Sequence, residues 1–179
     1  FFFSAVGVQT IMIVASAFGE KVLHLGTTKL IATIICIQLV AILGAQLMAV
    51  LTRRFGNIAV LLVVIFLWGC ICIAAYFLNS EIQFYILAFM VGLLMGGIQS
   101  LSRSTYSKLL PQDLEDTTAF FSFYDVTEKL AIVVGLFSFG FIEQITHNIR
   151  FSALFLAVFF VLSLLLMLRM MKFNIGLKS

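Results

Sequence analysis

Residues 57–78 read Asn57-Ile58-Ala59-Val60-Leu61-Leu62-Val63-Val64-Ile65-Phe66-Leu67-Trp68-Gly69-Cys70-Ile71-Cys72-Ile73-Ala74-Ala75-Tyr76-Phe77-Leu78, opened by Gly56 and closed by Asn79-Ser80-Glu81. At the α-helical rise such a run is about 33 Å long, enough to cross roughly 30 Å of hydrocarbon. The rest of the chain has the same character. Of 179 residues, 63% are hydrophobic and 11% charged, and the mean hydropathy is +1.18. A soluble domain has about 45–50% apolar and about 25% charged residues, so a water-soluble globular fold is excluded. One Pro, 12 Gly and 3 Cys exclude disorder, collagen and a disulfide scaffold as well. The apolar runs are too long, and lack the alternation, for a membrane β-barrel. The sequence predicts an all-α protein, a polytopic transmembrane bundle of six helices at about 1–18, 29–51, 57–78, 82–110, 117–144 and 150–171. Pro111 is expected to stop the fourth.

The charges narrow the function further. Eleven Lys and Arg and a net charge of +3 are spread singly or in pairs, with no basic-aromatic interleaving of the nucleic-acid-binding kind. The lipid bilayer is therefore an expected partner and nucleic acid is not. Phe1-Phe2-Phe3 carries neither Met nor a charged leader, so no cleavable signal peptide is visible. The expectation is a sequence that starts within or at the edge of a first crossing, as a fragment would. Cys36, Cys70 and Cys72 read as small apolar fillers. With no His beside them, no metal is expected. There is no Walker glycine loop, nucleophile elbow or His-Glu-x-x-His, so neither an enzyme nor a cofactor is expected.

Links on the side of residue 1 carry Arg53, Arg54, Arg103, Lys108, Arg169, Lys172 and Lys178. The other side carries Lys21, Lys29 and Arg150. By the positive-inside rule the first side is cytoplasmic and both termini lie inside. His24 and His147 fall in loops on the outer side and read as passive, with external pH sensing as the sharper alternative.

The polar residues inside the crossings are the candidate site. Asp125, Glu128 and Lys129 stand at i, i+3 and i+4 of the fifth helix and share a face. Asp125 is about 12 Å from the helix entry at Thr117, with Glu128 and Lys129 deeper. A charge at the bilayer centre costs about 2.5–3.5 kcal/mol on insertion scales, so these groups should face a wet crevice and pair. Asp125 with Lys129 has the favourable acid-first order, which leaves Glu128 to Arg103 on the preceding helix. Gln99 lies on the same face as Arg103. Two roles stay open for the quartet Arg103, Asp125, Glu128 and Lys129. It is a structural cluster that closes an inner gate, or Glu128 or Asp125 carries a coupling proton while Lys129 meets a substrate carboxylate. Gln9, Thr10, Gln38 and Gln46 read as interhelical glue or cavity lining. Tyr106 and Tyr124 read as interfacial anchors or solute contacts. Gly92, Gly96 and Gly97 suit close helix packing, or a hinge.

Two stretches carry a family resemblance. Leu51-Thr52-Arg53-Arg54-Phe55-Gly56 resembles the loop signature of the major facilitator superfamily, with Leu51, Arg54, Phe55 and Gly56 matching and Arg53 standing where the family carries an acid. Gly96-Gly97-Ile98-Gln99-Ser100-Leu101-Ser102-Arg103 and Phe121-Ser122-Phe123-Tyr124 through Lys129 are similar to the vacuole-effluxer-like (autophagy-related) branch of that superfamily. The resemblance covers nearly the whole chain, aligned to helices seven to twelve of a twelve-helix transporter. It implies that residues 1–179 are the C-terminal transmembrane domain, half of a major-facilitator fold. The implied function is a secondary active transporter that moves a small solute by alternating access. Fungal relatives export amino acids from the vacuole. The missing partner would be an N-terminal six-helix half, and the location the cell inner membrane. Gln9 becomes the leading cavity candidate, because the first helix of each half lines the pathway. Arg53, Arg54 and Gly56 become an inner-gate loop. Inverted three-helix repeats are expected, with little echo between them in the sequence. The non-transport alternative is a helical membrane scaffold or assembly subunit.

Overall fold

A computed structural model describes residues 1–24, 26–110 and 117–176. These form six helices: α1 (Phe2–Leu23), α2 (Thr27–Phe55), α3 (Asn57–Tyr76), α4 (Glu81–Leu109), α5 (Thr117–Thr146) and α6 (Ile149–Gly176). Among the described residues there is no strand. Among the described residues, five helices, α2 to α6, are long and apolar enough to span a membrane, and α1 carries the shorter apolar stretch Phe2–Ala15.

Most helices outrun the expected bounds, because hydropathy stops at the first charge and the backbone does not. The expected link at 52–56 is the clearest case. Thr52, Arg53, Arg54 and Phe55 are the last turn of α2, and Gly56 alone separates it from α3. Cations in a last turn favour the helix by meeting the negative end of its dipole. Gly56 makes the break at φ +84°, a conformation that a side chain opposes. At the start of α4, Ser80 and Gln83 form a capping box, which satisfies two otherwise orphaned donors. Leu110 ends α4 in an extended conformation. Pro111 and Lys178 lie outside the described residues.

The helices pack in a definite order. α2 lies along α4, α1 along α5, and α3 against α6 and α4, while α6 also covers α1. α3 supplies the centre of the core, with Leu61, Val64, Ile65, Trp68 and Cys72 buried. Trp68 stacks on Phe160 of α6 at 5.9 Å between ring centroids. Gly7 of α1 leaves the room into which the Phe160 ring fits. Where α4 presses on α2, backbone meets backbone: a Cβ on Gly96 would strike the Ala41 carbonyl, and one on Gly44 the Leu93 carbonyl.

Each end of the bundle is tied by polar contacts. At the end holding Phe1, Asn57 Nδ2 donates to Ser104 Oγ (3.0 Å) and Lys108 Nζ donates to Asn57 Oδ1 (3.0 Å). At the far end Lys21 pairs with Glu143 (2.6 Å) and Lys29 with Glu81 (2.8 Å). Arg150 there donates to Asn79 Oδ1 (2.9 Å). The pairs Lys29–Glu81 and Lys21–Glu143 join like ends, so α2 runs parallel to α4 and α1 parallel to α5.

Candidate functional site

Three helices bring the site together. Arg103, in the polar last third of α4, directs Nη2 to Asp125 Oδ1 at 2.8 Å and to Glu128 Oε2 at 3.5 Å, both on α5. From α1, Gln9 Nε2 donates to the other Glu128 oxygen, Oε1. The Arg103 guanidinium also lies 5.7 Å from the Tyr124 ring centroid, a cation–π distance. Tyr124 is flanked by Tyr106 at 5.0 Å and by Phe1 at 6.4 Å. Tyr106 in turn donates its hydroxyl to the Phe120 carbonyl (3.2 Å).

This arrangement changes the expected pairing. The Asp125–Lys129 pair does not form. Asp125 turns instead to Arg103, whose Nη2 reaches both carboxylates at once. Lys129 is exposed and has no ion pair among the described residues. The expected Arg103–Glu128 contact is present. One guanidinium thus faces two carboxylates, and the contact set carries one negative charge in excess. Exposure is graded along it: the Arg103 and Asp125 side chains are 54% and 53% accessible, Glu128 only 21%. Glu128 is therefore the sheltered end of a polar path that opens at Asp125.

Beside Glu128 lies an open crevice of about 310 Å³ lined by Ser4, Gln9, Gln99, Ser102 and Tyr124 as well as Glu128 itself. It is the place where apolar helices present a cluster of polar groups to shared space. A second gap, of about 640 Å³, sits toward the far end among Phe18, Ile71, Phe84, Phe139 and Leu156. Its apolar walls offer a polar solute nothing to bind.

The remaining candidates are placed as follows. Gln99 lines the crevice, and its Nε2 reaches only the Met12 sulfur, at 3.7 Å. Thr10 is buried and donates to the Val6 carbonyl of its own helix at 2.6 Å. Gln38 and Gln46 are exposed on α2 and have no hydrogen bond among the described residues. Gly92, Gly96 and Gly97 all lie where α4 meets α2, against Ile37, Ala41 and Met48, and α4 runs unbroken through them. Arg53 and Arg54 close α2, with Arg54 5.6 Å from the Phe55 ring centroid. Cys36 and Cys70 are exposed and Cys72 is buried, all as free thiols. His24 and His147 end helices in left-handed conformation, at φ 51° and 50°. The link that sequence reasoning left open is Gln9 to Glu128. Their separation of 119 residues gives no local signal, and only the packing of α1 on α5 joins them.

Comparison with known proteins follows the same lines. The family described as vacuole effluxer Atg22 like matches residues 1–175. An uncharacterized MFS-type transporter, YxiO, of Bacillus subtilis (strain 168) is 30% identical over 167 residues, which cover 93% of this chain and 38% of that protein. Autophagy-related protein 22 of Eremothecium gossypii is 32% identical over 168 residues, 88% of this chain and 33% of the relative. Its namesake in Saccharomyces cerevisiae (strain ATCC 204508 / S288c) is 31% identical over 170 residues, 88% and 31%. The chain therefore spans about a third of the length of the curated relatives it matches. No solved structure matches.

Proposed function

The chain belongs to the vacuole effluxer Atg22-like family, and on that premise we propose that it is the C-terminal half of a major-facilitator-type secondary transporter, with all six helices crossing the membrane. The half rocks against an N-terminal half, and a small solute binds between them. Amino acids head the solutes to test, in the direction of efflux. The excess of Lys and Arg at the end holding Phe1 supports cytoplasmic termini, and a bacterial cell (inner) membrane is the proposed location.

One observation carries the reading: Arg103 bridges Asp125 and Glu128 while Gln9 holds the far side of Glu128. Charged groups within membrane-spanning helices are expensive and mark pathways by default. This set is also short of one positive charge. A proton or a cationic group of the solute would complete it, and Glu128, the sheltered acid, is the proposed acceptor. Lys129, exposed and without an ion pair among the described residues, is the proposed contact for a solute carboxylate.

The test uses the full-length protein in proteoliposomes, with labelled amino acids and with or without a pH gradient. Glu128→Gln and Lys129→Ala are expected to lower transport at least about tenfold, the loss of roughly one charge-assisted contact worth 1.4 kcal/mol or more, with unchanged expression and folding. Unchanged transport in both variants removes the site and leaves a charge cluster that only holds α4 to α5, as in a scaffold.

A further inference from the structure

The observed helix bounds align the two halves of the chain and uncover a repeat. Gly7-Val8-Gln9-Thr10 of α1 recurs as Gly97-Ile98-Gln99-Ser100 of α4, 90 residues on. Thr27-Thr28 opens α2, and Thr117-Thr118 opens α5 at the same interval. Gln38 then falls opposite Glu128, and Ala41 opposite Ala131. With one residue inserted, Gly44 falls opposite Gly135, and the positive-φ turn residue Gly56 opposite His147. Buried Leu61, Ile65 and Cys72 of α3 fall opposite buried Ser152, Leu156 and Ser163 of α6. Packing obeys the same exchange: α2 lies on α4 as α5 lies on α1, and α3 on α4 as α6 on α1. Because each repeat holds three helices, an odd number, the second runs inverted relative to the first.

The two repeats are not in the same arrangement. Gly135 of α5 lies against Val6 and Thr10 of α1. The counterpart of Val6 is Gly96, yet Gly44, the counterpart of Gly135, lies against Leu93. Relative to α1 on α5, α4 is thus offset along α2 by close to one helical turn, about 5 Å. The side chains differ accordingly. Gln9 holds Glu128, while among the described residues Gln99 donates to the Met12 sulfur and Gln38 has no hydrogen-bond partner. α4 carries seats for a second register: Gly92, Gly96 and Ser100 recur every fourth residue, so a one-turn slide exchanges one small residue for the next. Packed helices tend to have such discrete alternatives and not a continuum.

We propose that Gln38 and Gln99 form the second of two alternately used pairings, made when α4 slides one turn along α2, as α1 slides along α5 and Gln9 releases Glu128. Gln38 is then a positioning residue. Its contact holds the state in which the Glu128 carboxylate is bare on its α1 side and open to a proton or solute. This step rests on the transport reading above.

The test uses full-length protein in membranes, with Cys36, Cys70 and Cys72 replaced by Ala. One cysteine pair combines Gln9→Cys with Glu128→Cys, the other Gln38→Cys with Gln99→Cys, and each is treated with the same short bis-methanethiosulfonate linker. Both pairs are expected to link, and in protein carrying all four substitutions the two links exclude one another. Linking of the first pair but never the second, or both links in one molecule, overturns the proposal. Spin labels at exposed Leu43 and Phe89 give a readout that leaves the glutamines intact. For a slide of about 5 Å along the axis, two distance populations separated by less than that amount are expected, and a single population overturns it. If the links exchange while Glu128→Gln transports normally, the exchange stands and the role given to Glu128 in transport fails.

Discussion

The α2–α4 seam and the α1–α5 seam do equivalent jobs with opposite chemistry. On α2–α4, Gly44, Gly92 and Gly96 bring backbones into direct contact, and among the described residues no ion pair lies in the middle of the seam. On α1–α5, one glycine, Gly135, makes the close approach, and the neighbouring contact is Gln9 on Glu128, extended to Arg103. Lipid tails are as apolar as the side chains, so helices in a membrane adhere through close packing and polar contacts. The first seam uses close packing and resists substitution. The second relies on groups that can change partner or protonation, and that is where a working site can be built.

Substitutions that break this contrast are ordered by expected effect. Gly96→Leu drives a side chain into the Ala41 carbonyl, which cannot move aside. About 3 kcal/mol or more of lost stability is expected from overpacking, seen as loss of monodisperse protein in detergent. Gly135→Ala on the other seam meets the buried Thr10 hydroxyl, which turns aside only by giving up its bond to the Val6 carbonyl, and it also presses on that carbonyl. The smaller side chain is expected to cost about 1–3 kcal/mol, measured as a drop in Tm. Arg103→Ala removes the 2.8 Å pair with half-exposed Asp125 and the longer contact with sheltered Glu128, so the stability change is expected near about 1 kcal/mol, while transport falls at least as far as for Glu128→Gln. Equal losses of stability in Gly96→Leu and Arg103→Ala would erase the distinction between the seams. Lys29→Ala breaks the far-end pair with Glu81, both partners exposed. Only a slight drop in Tm is expected from so exposed a pair, shrinking as salt screens it.

Hydropathy made the helices legible, because a run such as 57–78 has no other stable form in lipid. Their ends were less legible. Lys21, Arg53 and Arg54 look like loop residues in a sequence, yet near a helix C-terminus they are favoured by its dipole. The acids and Arg103 stood out as costly in a membrane. The Arg103–Glu128 contact was legible too, but Arg103 on Asp125 and Gln9 on Glu128 were not, because helix spacing reports only contacts within one helix. For the same reason Asp125–Lys129 looked like the natural pair and lost to a guanidinium across the seam. The internal repeat was expected, but its register was not legible because its sequence echo is short. It emerges once α2 and α5, and α3 and α6, are aligned by their observed bounds.

The central claim is that Arg103, Asp125 and Glu128 look onto water and not onto acyl chains. Labelling with a charged, membrane-impermeant methanethiosulfonate tests it directly. In a background without native cysteines, Gln99→Cys, exposed on the crevice wall, is expected to react quickly from the cytoplasmic face, while Phe137→Cys, on the exposed apolar face of α5, stays unmodified. A folded protein in which Gln99→Cys resists the reagent as fully as Phe137→Cys would contradict the account.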